Sequence, residues 1–172
     1  MRFWESKYKW VFASVILGLL FFWLSPVKVV YTMDYSLPYK WWLWSEIFFK
    51  IQKGDYVEFV PPVENEYTRG KILVKRVVCM PKETLKTVGL DYYCDGVYLG
   101  RARTQDSKGR PVVPFKYEGE IPNGCYFVMG EAEKSYDSRY FGFVCNKHIR
   151  AKLFPLAEGP NLDKFFLVGG ER

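Results

Sequence analysis

The sequence predicts an all-β domain preceded by one membrane-spanning helix. Three observations predict it. No charged residue interrupts the run from Trp10 to Val27. Beyond that run, short stretches of β-branched and aromatic residues alternate with turn-forming dipeptides. No segment after the run shows the period of an amphipathic helix of any length. A chain of 172 residues has room for one such domain and one such span.

The apolar run, placed at residues 10–27, spans roughly 27 Å as a helix, just enough for a bilayer core. Arg2, Lys7 and Lys9 precede it against Glu5 alone, which places residues 1–9 in the cytoplasm and residues 28–172 outside. A cleaved signal peptide is the rival reading. It needs a small-x-small site, which Leu24-Ser25-Pro26-Val27-Lys28 does not offer.

The strands follow in order. Val27 to Tyr31 is the first, and Ser36 comes next in a short loop ending at Pro38. Trp41-Trp42-Leu43-Trp44 is either core packing or, the favoured expectation, an interfacial patch whose indoles sit at the headgroup layer. Gly54-Asp55 turns the chain into Tyr56–Val60, and Lys71–Met80 is a further strand. Residues 82–122, punctuated by Asp95-Gly96 and Lys108-Gly109, form a smaller β-subdomain, and Asn123-Gly124 is a hairpin-type turn just beyond it. Tyr126–Met129 and Tyr140–Val144 are expected as the last pair of core strands, with an irregular chain from Leu156 onward.

A net charge of +6 raises the possibility of nucleic-acid binding. The 25 basic residues, however, are scattered among 19 acidic ones with no arginine-rich run and no binding motif. A basic surface facing anionic lipid is the simpler explanation. Four cysteines lie in the segment placed outside the cytoplasm, and three pairings are open to them. Cys79 with Cys94 and Cys125 with Cys145 is the expected pairing, because turns and antiparallel strands bring these positions together. Four reduced, buried thiols are the alternative. No two cysteines are spaced as CxxC and there is one histidine, so no metal site is expected.

Among chemistry-bearing residues, His148 is a candidate base for a Ser-His-Asp triad, but it lies in the polar segment Asn146–Arg150. A lysine can replace histidine as base when burial disfavours its ammonium form. Lys75 is the best candidate, since either it or Arg76 points inward from the apolar strand Ile72–Val78; the alternative is that both lie on an exposed edge, and composition alone does not choose.

Four stretches settle which residues to prefer: Ser36-Leu37-Pro38, Lys53–Phe59, Lys75–Pro81 and Ser135–Val144. In order and content they resemble the type I signal peptidases, and more closely the TraF branch, which matures pilin subunits in conjugative DNA transfer. Proline two positions after the serine is the TraF feature. The resemblance implies an antiparallel signal-peptidase-like β-domain, a Ser-Lys dyad of Ser36 and Lys75, and no cofactor. Ser135 resembles the serine that hydrogen-bonds the lysine amine. Asp137 and Arg139 resemble the pair that braces the site, with a direct role for Asp137 left open beside a simple ion pair. The implied partners are a membrane-embedded precursor, pilin or preprotein, and the lipid bilayer. The implied location is the bacterial inner membrane with the catalytic domain periplasmic.

The chain departs from the family pattern at three places. Pro81 is followed by Lys82-Glu83 where Gly-Asp is usual, and Gly130-Glu131-Ala132 replaces Gly-Asp-Asn. Asp34 stands where a hydroxyl often completes the oxyanion hole, and an ionised carboxylate cannot donate there. A general leader peptidase and a catalytically silent assembly factor are the competing expectations.

Overall fold

The computed structural model describes residues 2–32, 36–47 and 50–158. Its N-terminal helix α1 (Arg2–Leu24) starts earlier and stops sooner than the expected span. Pro26 disfavours helix at the residue before it, and Val27 already opens a strand. The uncharged part, Trp10–Leu24, is about 22 Å of helix against a bilayer core of about 30 Å. Among the described residues no helix is long and apolar enough to cross a membrane, so the expected span over 10–27 finds no support there. Trp10, Phe12, Leu17, Phe22, Trp23 and Leu24 stand exposed along α1.

The rest is mostly antiparallel β. A seven-stranded sheet holds β1 (Val27–Tyr31), β2 (Tyr39–Ser45), β11 (Ile149–Glu158), β3 (Tyr56–Phe59), β4 (Leu73–Cys79), β9 (Cys125–Met129) and β10 (Val144–Cys145), in that spatial order. A four-stranded sheet holds β7 (Val97–Arg101), β6 (Asp91–Cys94), β5 (Thr84–Val88) and β8 (Glu118–Glu120). Asp95 and Gly96 join β6 to β7 with φ of 47° and 80°, the left-handed pair that a two-residue hairpin turn requires. The Cys79–Cys94 disulfide ties the end of β4 to the small sheet, and Cys125–Cys145 joins β9 to β10.

Three expectations change. In β2, side chains alternate across the sheet, so Trp42 is 0% and Trp44 9% exposed while Trp41 is 48% exposed. The tryptophans are therefore split between core and surface rather than gathered in one interfacial patch. Thr32 accepts the indole N–H of Trp42 at 3.0 Å, so the buried ring is satisfied without the headgroup layer. Second, Leu156 is not the start of irregular chain but part of β11, which lies between β2 and β3. Pro155 sits beside a register shift in that strand, where a missing N–H is tolerated. Third, Ser138–Phe141 forms the short helix α2, so of the expected last strand, Tyr140–Val144, only Val144 pairs with β9, joined by Cys145. Asp137 caps α2, accepting the Arg139 N–H at 3.1 Å, and Gly142 ends it at φ 79°.

Candidate active site

Ser36 lies in the loop joining β1 to β2, outside the sheet itself. Thr32 N–H donates to the Lys40 carbonyl at 2.9 Å, closing the loop behind it. Leu37 packs with Trp42, Tyr56 and Val74, which fixes the chain beside the sheet. The Ser36 carbonyl accepts the N–H of Glu131 at 2.8 Å and of Ala132 at 3.2 Å. The loop is thus closed on itself, packed through Leu37 and bonded at Ser36 to the turn after β9.

Lys75 is the inward residue of the Lys75-Arg76 pair. It lies opposite Val57 in the β3–β4 ladder and is 2% exposed, whereas Arg76 is exposed. Upstream, Gly54-Asp55 locks β4 in place: Gly54 N–H donates to Val77 O and Val77 N–H to Asp55 O, both at 2.8 Å. Lys152 forms an ion pair with Asp55 at 2.6 Å. The Lys75 amine donates to the Ser36 hydroxyl, so nucleophile and base candidates are hydrogen-bonded to one another. A hydroxyl so placed can pass its proton to the amine once the amine is neutral.

Asp137 and Arg139 form a buried pair, 0% and 3% exposed in their side chains, at 2.8 Å. Burial works against the Arg139 charge, but the Asp137 carboxylate outweighs it and holds the guanidinium above its ordinary value. Asp137 also accepts the Gly130 N–H at 3.0 Å, and Arg139 donates to the Arg101 carbonyl of β7 at 2.8 Å. The pair therefore links the turn after β9 to the small sheet.

Ser135 is placed otherwise than the resemblance implies. It does not bond the Lys75 amine; its buried hydroxyl has no hydrogen-bond partner among the described residues. It packs against Gly130, where a Cβ would lie 2.2 Å from Ser135 Oγ and 3.1 Å from Ser36 Cβ. Gly130 is thus the spacer between the two serines, a role that no pattern of charge or hydropathy signals. His148 is held in its own turn, its Nδ1 accepting the Cys145 N–H at 3.0 Å, while burial and then Lys147 push its ring below its ordinary value. The structure joins Lys75 to Ser36, and not His148. Asp34 lies outside the described residues. Beside the Gly130–Ala132 turn opens a cleft of about 610 Å³ between β7 and β9, lined by Arg76, Tyr98, Arg101, Met129 and Glu133 among others.

The family described as signal peptidase, peptidase S26, matches residues 5–156. The chain belongs to that family. The peptidase is accordingly a serine endopeptidase of the signal-peptidase type. It is 30% identical over 124 residues to the conjugal transfer protein TraF of Agrobacterium fabrum, a match covering 62% of this chain and 69% of that protein. It is 29% identical over 116 residues to signal peptidase I V of Bacillus subtilis, covering 61% and 66%. To the probable signal peptidase I-1 of Synechocystis it is 28% identical over 127 residues, covering 68% and 62%. The match therefore spans about two thirds of each relative. A solved signal peptidase I from Enterococcus faecalis V583 is 27% identical with a TM-score of 0.41, covering 64% of the peptidase and 99% of that chain.

Proposed function

We propose that Ser36 is the nucleophile and Lys75 the general base of an endopeptidase that cleaves a membrane-inserted precursor, a conjugative pilin subunit. The observation that carries this is the hydrogen bond between the Lys75 amine and the Ser36 hydroxyl. Ser36 Oγ attacks the scissile carbonyl while neutral Lys75 takes its proton, and the Ser36 N–H is the oxyanion donor this reading assigns. Collapse of the tetrahedral species breaks the C–N bond, and the Lys75 ammonium returns the proton to the leaving amine. Water then resolves the acyl-enzyme with Lys75 again accepting the proton. If the precursor's own amine replaces water, the product is a ring.

The TraF-type spacing of Ser36-Leu37-Pro38 and the likeness to a conjugal transfer protein support the pilin reading. The likeness to Bacillus and Synechocystis signal peptidases supports a general leader peptidase as second reading. An assembly factor without catalysis has no use for a buried lysine bonded to a serine in a loop.

The same proposal places the peptidase at the outer face of the bacterial inner membrane. The exposed apolar side chains of α1 and the outward Val29, Tyr31 and Trp41 of the adjoining sheet support embedding in lipid. Ring centroids of Tyr31 and Trp41 lie 5.1 Å apart, forming one aromatic surface on that face.

The test is processing of a pilin precursor in membranes. Ser36→Ala and Lys75→Ala should each leave the precursor intact, and the double variant should be no worse than either. Mass spectrometry of the product separates outcomes, since a ring is one water lighter than the linear chain. Accumulation of many unrelated preproteins on depletion, with pilin untouched, would replace the pilin reading with the general one.

A further inference from the structure

A nucleophile in a loop needs its distance to a base on a strand set by something outside the loop. Glu131 is the residue that connects the two. Its backbone N–H holds the Ser36 carbonyl at 2.8 Å. Its carboxylate accepts the Tyr56 hydroxyl at 2.5 Å, and Arg76 Nη1 lies 3.9 Å from the same oxygen. Tyr56 and Arg76 are direct partners in the β3–β4 ladder, one step along from Val57 and Lys75. The side chain of Glu131 is therefore referenced to the two strands that position the base, and its main chain to the nucleophile.

Tyr56 is a rigid reference. It is 8% exposed and packs against Trp42, with ring centroids 4.9 Å apart, and against Tyr39 at 5.8 Å. Burial, and then the hydrogen bond to Glu131, push its hydroxyl above the ordinary tyrosine value, so the neutral donor facing a carboxylate is the favoured state.

We infer that Glu131 and Tyr56 are positioning residues whose hydrogen bond sets the approach of Ser36 to Lys75. The inference rests on the Ser36–Lys75 reading above. Tyr56→Phe keeps the ring stack and deletes only the donor, whereas Glu131→Ala deletes the acceptor. Glu131→Gln keeps an acceptor oxygen and serves as the conservative rescue.

The experiment measures kcat and KM of the full chain on a quenched fluorescent peptide with alanines before the scissile bond, with thermal melts of each variant. Small misplacements of reacting groups cost rate rather than binding. Tyr56→Phe and Glu131→Ala should each lower kcat about tenfold with KM within about twofold, the double variant should fall no further, and Glu131→Gln should recover most of kcat. Unchanged kcat in Tyr56→Phe, losses that multiply in the double variant, or a change confined to KM would overturn the inference. If Glu131→Ala does not fold, Tyr56→Phe against Glu131→Gln decides it by the same criteria. Ser36→Ala is the separate control: if it still cleaves the peptide, the reading of Ser36 fails, and the inference with it.

Discussion

Gly130→Ala is the sharpest test of how the site is built. The added Cβ would lie 2.2 Å from Ser135 Oγ, 2.6 Å from Ser135 Cβ and 3.1 Å from Ser36 Cβ, where ordinary contact begins near 3.4 Å. Something must move by more than about 1 Å, and overpacking of this kind costs about 1–3 kcal/mol. Ser135 is held through its main chain, its N–H donating to Ala132 O at 3.0 Å and its carbonyl accepting Arg139 Nη2 at 3.3 Å. The strain therefore passes in part to Ser36, which sits in the loop. A displacement of about 1 Å at a reacting atom lowers rate on the order of 100-fold. Urea denaturation should report the stability loss, and kcat on a short peptide the catalytic one. A Gly130→Ala enzyme with kcat within about threefold of the parent would refute the spacer role, because a displaced nucleophile cannot keep its rate.

Other outcomes follow from named groups. Burial by itself would raise the Asp106 carboxyl. Hydrogen bonds from the Arg110 N–H at 2.9 Å, its guanidinium at 2.7 Å, the Lys108 N–H at 2.8 Å and the Tyr67 hydroxyl at 2.9 Å outweigh burial and hold the carboxyl well below the carboxylate range. A depressed folded value stabilises above the unfolded value near 4 and ceases to do so as acid protonates the group. Asp106→Asn should therefore be less stable than the parent at neutral pH, with the gap closing below about pH 4; a gap that widens in acid would contradict the assignment. Trp41→Ser should weaken binding to anionic vesicles, whereas Trp42→Ser should mainly lower the melting temperature; equal effects on lipid binding would argue against a single outward ring.

Much of this was legible because strands advertise themselves. Lys71–Met80 and Tyr56–Val60 carry the β-branched and aromatic content that pleated, half-buried surfaces favour. Both contain the observed strands β4 and β3. Ser36 and Lys75 stood out by residue type and motif, and the fold brings them into contact. What was not legible depended on which neighbours the fold supplies. Leu156 was hidden in a segment broken by Pro155, because pairing of that end of β11 with β2 is a tertiary property. Trp41-Trp42-Leu43-Trp44 looked like one patch, whereas the two-residue period of a strand divides it. Tyr140-Phe141 read as the start of a strand by composition, yet a cap from Asp137 and a stop at Gly142 outweigh intrinsic preference over so short a stretch. Glu131 registered only as a departure from the family pattern, since its partner Tyr56 lies 75 positions away.

Direct participation and bracing are the two roles open to Asp137, and its surroundings bear on the choice. Oδ1 accepts the Arg139 N–H at 3.1 Å and Nε at 2.9 Å; Oδ2 accepts Gly130 N–H at 3.0 Å and Arg139 Nη2 at 2.8 Å. A carboxylate offers about four lone-pair sites, and four donors occupy them. The side chain is fully buried, so neither substrate nor a proton in transit has an oxygen to approach. These contacts favour the bracing role, in which Asp137 would act through what it holds, above all the N–H of Gly130 between Ser36 and Ser135. Asp137→Ala leaves the Arg139 guanidinium buried without its anion, a change that costs about 3–5 kcal/mol. Activity should fall together with stability. A variant that melts like the parent yet is inactive would return Asp137 to the chemistry.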